Sequence, residues 1–219
     1  MNKKLICFDM DHTLIDSDKA HILAYNKALK QLGFKEKTAR LFHKHFSKPK
    51  IEVAKAISGS KNINLLNEIV DLHNYFVHNE LIKSVKAYPN AKVILKKLNR
   101  HYKIAIVSNS KHETIVRFLK KSGIKNNLYD ALVGYDDVKR SKPAPDVIIK
   151  AGKILRLKPE FMIGDSIYDV KAGKRAKAKT IAVASGNYNA KTLLKENPDF
   201  LVDNLKGVEK ILLPEKPPK

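Results

Sequence analysis

The sequence predicts an α/β fold: a parallel sheet with helices on both faces, plus a small helical bundle inserted near its start. Three observations carry this. Short apolar runs alternate with helical patterns along most of the chain, and such alternation implies a parallel sheet covered on both sides. From Asp16 to about Lys86 the patterns are helical only. Polar residues capable of chemistry follow several of the apolar runs, which is where ligands bind in open parallel sheets.

Strand-like runs cover residues 4–8, 103–107, 131–133, 161–163, 180–183 and 200–202. Pro89 opens a helix with Ala91, Ile94, Leu95 and Leu98 on one face. A second helix covers 114–121 and stops at Gly123, a common C-terminal residue. Pro145 and Asp146 open a third, with Val147, Ile148, Ala151, Ile154 and Leu155. Within the helical stretch, Ile22, Tyr25, Leu29 and Leu32 form a stripe ending at Gly33. Pro49 starts a helix with Ile51, Ala54 and Ile57, and another carries Leu66, Ile69, Leu72, His73 and Phe76. These stripes read as packing faces. The expected division is a core of 1–15 and 87–213, an insert of 16–86 and a frayed tail of 214–219. Motif order is expected to follow strand order, with the site on one edge of the sheet.

The chain has 219 residues, 43% of them hydrophobic, enough for one large domain or two modest ones. No apolar run reaches the length of a membrane span. The basic start Met1-Asn2-Lys3-Lys4 leads into an apolar stretch, but Asp9 and Asp11 interrupt it and no small-residue cleavage site follows. It reads as the first strand of a cytoplasmic protein. The single Cys7 forms no internal disulfide and reads as a buried strand residue. The formal net charge is +21, a field that attracts anions. The lysines are scattered, aromatic residues are 7% and Trp is absent, so a dedicated nucleic-acid role is not indicated.

The first strand runs into Asp9-Met10-Asp11-His12-Thr13. In extended backbone, alternate side chains point the same way, so Asp9 and Asp11 face one reacting group. Two such carboxylates repel, and need a cation or a shared proton to coexist at neutral pH. That suits a carboxylate nucleophile beside a carboxyl acid/base. Asp165 and Asp169 sit in Gly164-Asp165-Ser166-Ile167-Tyr168-Asp169, Lys142 in Lys142-Pro143-Ala144-Pro145-Asp146, and Ser108-Asn109-Ser110 after the run 104–107.

In order and spacing, these four motifs resemble those of the haloacid dehalogenase-like (HAD) superfamily, in its phosphoglycolate-phosphatase-like branch. The resemblance runs from about Lys3 to Asn204. It implies a Rossmann-like core and a type 1 helical cap for the insert. It implies Asp9 as nucleophile and Asp11 as general acid/base, with Lys142 neutralising charge on the nucleophile and phosphoryl group. Ser108, with backbone N–H groups near Asn109 and His12, would bind phosphoryl oxygens, and Thr13 would shape the loop. Asp9, Asp165 and the Asp11 backbone carbonyl would hold Mg²⁺, a cation suited to hard oxygen ligands, with Asp169 behind them.

The expected activity is Mg²⁺-dependent hydrolysis of a small phosphorylated metabolite by a monomer or homodimer, through an aspartyl-phosphate. A β-phosphoglucomutase-like mutase shares Asp9 and Asp11 and is the first alternative. A nucleic-acid-end phosphatase and a basic binding protein with a relic site are further ones. Three positions depart from the branch's usual pattern. His12 and Lys177 stand where glycine is common, and Ser47 replaces a glycine within Phe46-Ser47-Lys48-Pro49-Lys50. Substrate choice is expected to rest on cap residues, with His43, Lys44, His45, Lys48, Lys50 and Ser58-Gly59-Ser60 as candidates.

Overall fold

A computed structural model describes residues 3–46 and 48–213. The expectations for Ser47 and for the tail lie outside the described residues. Six strands form one parallel sheet: β1 (Lys4–Phe8), β4 (Tyr102–Val107), β5 (Ala131–Val133), β6 (Pro159–Gly164), β7 (Lys179–Val183) and β8 (Phe200–Val202). Their order across the sheet is β5-β4-β1-β6-β7-β8, all pairs parallel. The first strand is therefore central, and spatial order departs from chain order. After β5 the chain crosses to the far side of β1 through α7 (Asp146–Leu155). The sheet changes direction of growth beside β1, and a crevice opens there at the carboxyl ends of its strands.

Burial explains why the strands read as continuous apolar runs. On β1, Ile6 and Phe8 pack into one cluster and Leu5 and Cys7 into another. On β4, Ile104 and Ile106 divide from Ala105 and Val107 in the same way. Period-two alternation persists, but both faces are dry. Burial pushes the Cys7 thiol up to about 12.

The helices α5 (Ala91–Asn99), α6 (His112–Ser122), α8 (Ile167–Arg175), α9 (Ala190–Leu194) and α10 (Leu205–Leu212) complete the two layers. The four apolar residues expected on α5 are all buried. Gly123 ends α6 at φ 76°, a left-handed turn that glycine adopts without a Cβ penalty. On α7, Val147, Ile148 and Ala151 are buried, but Ile154 is 49% exposed. The helix ends one residue later, and Arg156 turns the chain away at φ 54°. Lys177 adopts φ 58°, a strain of roughly 1–2 kcal/mol for a residue with a Cβ.

The stretch between β1 and β4 holds α1 (Asp18–Gln31), α2 (Ala39–His43), α3 (Lys50–Ser58) and α4 (Ile63–Phe76). One face of α1, with Tyr25 and Leu29, joins Phe42, Val53, Ala54, Ile57, Leu66, Ile69 and Val70 in a cluster of their own. The other face, Ala20, Ala24 and Ala28, joins the main cluster with Phe76, Val77 and Val85. A two-stranded antiparallel ribbon, β2 (Ile15–Asp16) with β3 (Lys86–Ala87), ties together the ends of this stretch. Strands of two residues carry no periodicity and leave no signal in the sequence. Among the described residues, no helix is long and apolar enough to cross a membrane.

Candidate active site

The loop after β1 folds tightly. The Leu14 and Ile15 amides both donate to the Met10 carbonyl, and the His12 amide donates to Ile15 (2.8 Å). This closure needs φ 61° at His12, which accounts for glycine being common there. It also occupies the His12 N–H expected to face phosphate. The His12 ring stacks on Phe46 and pairs with the Asp18 carboxylate. Burial lowers its pKa, but Asp18 and Asp165 outweigh that and push it up to about 9.

Asp9, at the carboxyl end of β1, is 6% exposed. Its Oδ1 accepts from Lys142 Nζ at 2.5 Å. Lys142 also donates to Asp169 Oδ1 (2.6 Å) and to the Val107 carbonyl (3.2 Å). Burial favours the neutral amine, but Asp169 and Asp9 outweigh it and hold the ammonium charged. Asn109 grips the backbone of Lys142 from both sides: its Oδ1 accepts from Lys142 N (2.9 Å) and its Nδ2 donates to Lys142 O (3.0 Å). The Asn109 side chain thus positions the lysine.

Asp169 is fixed by Ser166, whose Oγ donates to Asp169 Oδ2 at 2.5 Å and whose backbone N–H donates to the same oxygen. Ser166 is also the N-cap of α8. One serine therefore starts the helix and holds the acid. Thr13 Oγ1 sits 3.5 Å from Asp9 Oδ2 and 3.4 Å from Asp165 Oδ1. Ser108, 2% exposed, accepts the Ser110 amide on its Oγ, which leaves its hydroxyl proton for a ligand.

Asp11 points elsewhere. Its carboxylate accepts from Ser17 (2.5 Å) and Ser110 (3.3 Å), with His21 Nε2 at 3.6 Å. Burial raises its pKa, but His21 and Ser17 overcome this and hold it well below the carboxylate range. Asp9 and Asp11 thus line one pocket with their carboxyl groups in different surroundings.

Carboxylate oxygens of Asp9, Asp165 and Asp169 lie within 4.8 Å of one another. Burial, with the neighbouring acids, pushes Asp9 well up despite Lys142, and burial pushes Asp165 up to about 7. Asp165 Oδ2 is buried without a hydrogen-bond partner. Gly186 lies so close that a Cβ there would overlap the Asp165 carboxylate. An orphaned carboxylate oxygen among crowded acids fits a hard divalent cation. Neither Gly186, which leaves room for the Asp165 carboxylate, nor Ser17, which donates to Asp11, lies in a motif that the sequence displays. The pocket between sheet and insert has free space of about 70 Å³.

The model of the haloacid dehalogenase-like hydrolases matches residues 6–183, most of the chain. The chain belongs to that family. A pyrophosphatase PpaX from Oceanobacillus iheyensis is 28% identical over 213 residues, covering 95% of this chain and 96% of that protein. A phosphoglycolate phosphatase from Aquifex aeolicus is 31% identical over 212 residues, covering 95% and 96%. A solved haloacid dehalogenase-like family hydrolase from Streptococcus pneumoniae superposes with a TM-score of 0.82 at 22% identity, covering 94% and 96%. That last likeness concerns the fold alone. The chain is accordingly a HAD hydrolase with the α/β core expected of it.

Proposed function

We propose that this HAD hydrolase is a Mg²⁺-dependent phosphatase of small phosphate compounds, acting through a phosphorylated Asp9. The observation that carries the reading is the Asp9 carboxylate itself. It is buried, paired to Lys142 at 2.5 Å, and set among acids beside Asp165 Oδ2, which has no hydrogen-bond partner and His12 Nδ1 only at 4.0 Å. The names of the two curated relatives, a pyrophosphatase and a phosphoglycolate phosphatase, support the substrate class.

The Asp9 carboxylate attacks phosphorus and the bond to the leaving oxygen breaks, giving an acyl phosphate. The anionic phosphate beside Asp11 opposes the hold of His21 and Ser17 and favours its protonated form. Asp11 then gives its proton to the leaving oxygen and regains one from the water that cleaves the acyl phosphate, so each turnover returns it to its starting form. Ser17, Ser110 and His21 keep the Asp11 carboxyl off the cation cluster. Lys142 offsets negative charge on Asp9 and the phosphoryl group. The Ser108 hydroxyl and the Asn109 backbone N–H bind phosphoryl oxygens. Asp9, Asp165 and the Asp11 backbone carbonyl would hold the Mg²⁺, which screens the charges of nucleophile and phosphate. Asp169 has both oxygens engaged by Lys142 and Ser166, so it orients the lysine. The helices of 16–86 act as the cap that excludes water.

The decisive experiment is phosphate release from phosphoglycolate, pyrophosphate, sugar phosphates and nucleotides, with Mg²⁺ and with EDTA. Mg²⁺-dependent release from the small compounds is expected. Absence of release from every compound would sink the proposal.

The cation also changes stability with pH. Asp165 is pushed up to about 7 from an ordinary 3.8, so its proton is held more tightly in the folded state. The metal-free protein then loses stability as pH rises from about 4 to about 7. A cation replaces that proton. The rise in Tm on adding Mg²⁺ is expected to be larger at pH 8 than at pH 5. An increment independent of pH would place the ion away from Asp165.

A further inference from the structure

Lys50, the first residue of α3, lines the same pocket as Asp9 but belongs to the insert. Its Nζ donates to Asn74 Oδ1 at 2.6 Å, and among the described residues no carboxylate lies within ion-pair distance of it. An ammonium has three donor hydrogens, so two remain for a ligand. Asn74 is in turn contacted by His73 Nδ1 (3.3 Å), His73 Nε2 meets His21 Nδ1 (2.9 Å), and His21 Nε2 stands 3.6 Å from Asp11. A continuous polar chain thus runs from Lys50 through the wall of the insert to the proposed acid/base. His73 is fully buried and Asn74 is 8% exposed, so the chain is part of the fold rather than a surface accident.

Lys50 is half-buried, and with no carboxylate at ion-pair distance among the described residues its charge is only partly compensated, which an anionic ligand would complete. Burial lowers the Lys50 pKa to about 8, which still leaves it charged at neutral pH. The phosphoryl group is already served by Lys142, Ser108 and the cation cluster, all on the sheet side. Lys50 therefore faces whatever lies beyond the reacting phosphate.

Resting on the reading above, we propose that Lys50 binds a second anionic group of the substrate, so that this enzyme selects small phosphate compounds carrying a further carboxylate or phosphate. Asn74 and His73 act as positioning residues that hold the ammonium over the pocket. The names of the two curated relatives point the same way: pyrophosphate carries a second phosphoryl group, and phosphoglycolate a carboxylate.

The test compares kcat/KM for pyrophosphate and for phosphoglycolate, each divided by that for p-nitrophenyl phosphate, whose leaving group has no second anion before cleavage. In Lys50→Gln both ratios are expected to fall at least tenfold, chiefly through KM. A fall for one compound only identifies the anion that Lys50 serves. Ratios unchanged within twofold would overturn the assignment while leaving the phosphatase reading intact, whereas a wild-type enzyme inert on all three compounds would overturn that reading instead. A measurement on the wild type guards against a misfolded variant. Methylenediphosphonate is expected to inhibit p-nitrophenyl phosphate hydrolysis at least tenfold more tightly than methylphosphonate, and equal inhibition would overturn the assignment.

Discussion

Asp9→Asn is expected to lower kcat by at least about 10⁴-fold with the protein still folded, the scale seen when a nucleophile is removed. Amide and carboxylate have the same shape, so packing around position 9 is preserved. The change removes one charge from a crowded acidic cluster, in which burial already pushes Asp9 well up. Lys142 keeps its 2.6 Å bond to Asp169, so no buried cation is stranded. Loss of turnover would then report chemistry and not collapse. The measurement is phosphate release with Mg²⁺ beside a thermal unfolding curve. Activity within tenfold of wild type would exclude Asp9 as nucleophile.

Lys142→Met is expected to cost both activity and fold. The lysine is 3% exposed and sits between Asp9 and Asp169. Removing one partner of a buried ion pair costs about 3–5 kcal/mol, because the remaining charge is left without compensation. For a chain of this length that is a fall in Tm of about 6–20 °C. Mg²⁺ is expected to recover part of the loss by neutralising Asp9. Arginine would not substitute, since its planar fork needs more room than an ammonium. A fall in Tm under about 2 °C would contradict the buried-pair account.

The sheet was legible because both of its faces are dry. The apolar runs of β1 and β4 are continuous between polar breaks, whereas the edge strand β8, with Phe200 38% exposed, is marked by its apolar residues alone. The site was legible because its residues follow strand ends in a recognisable order. Other features depend on three-dimensional closure and leave no local trace. The central place of β1 follows from a crossover after β5, which local sequence does not encode. The ribbon of Ile15–Asp16 with Lys86–Ala87 pairs residues about seventy positions apart. The sequence places the Asn109 backbone beside the phosphate and gives no sign that its side chain holds the Lys142 backbone. Such reciprocal bonds across 33 residues are visible only once the chain has folded. Among the basic residues of the insert that the sequence offers, Lys50 is set apart by its bond to Asn74.

The alanine face of α1 has a mechanical consequence. Ala20, Ala24 and Ala28 meet the main cluster where larger side chains would interlock. Close-packed interiors resist sliding because interdigitated side chains must change rotamer together. Alanine has no rotamer to change. The helix can therefore glide a small distance over Phe76, Val77 and Val85, trading contact area without unlocking anything. Phe76, Val77 and Val85 belong to the same insert, so this smooth face permits shear of α1 within the insert itself, with little resistance from side-chain interlocking.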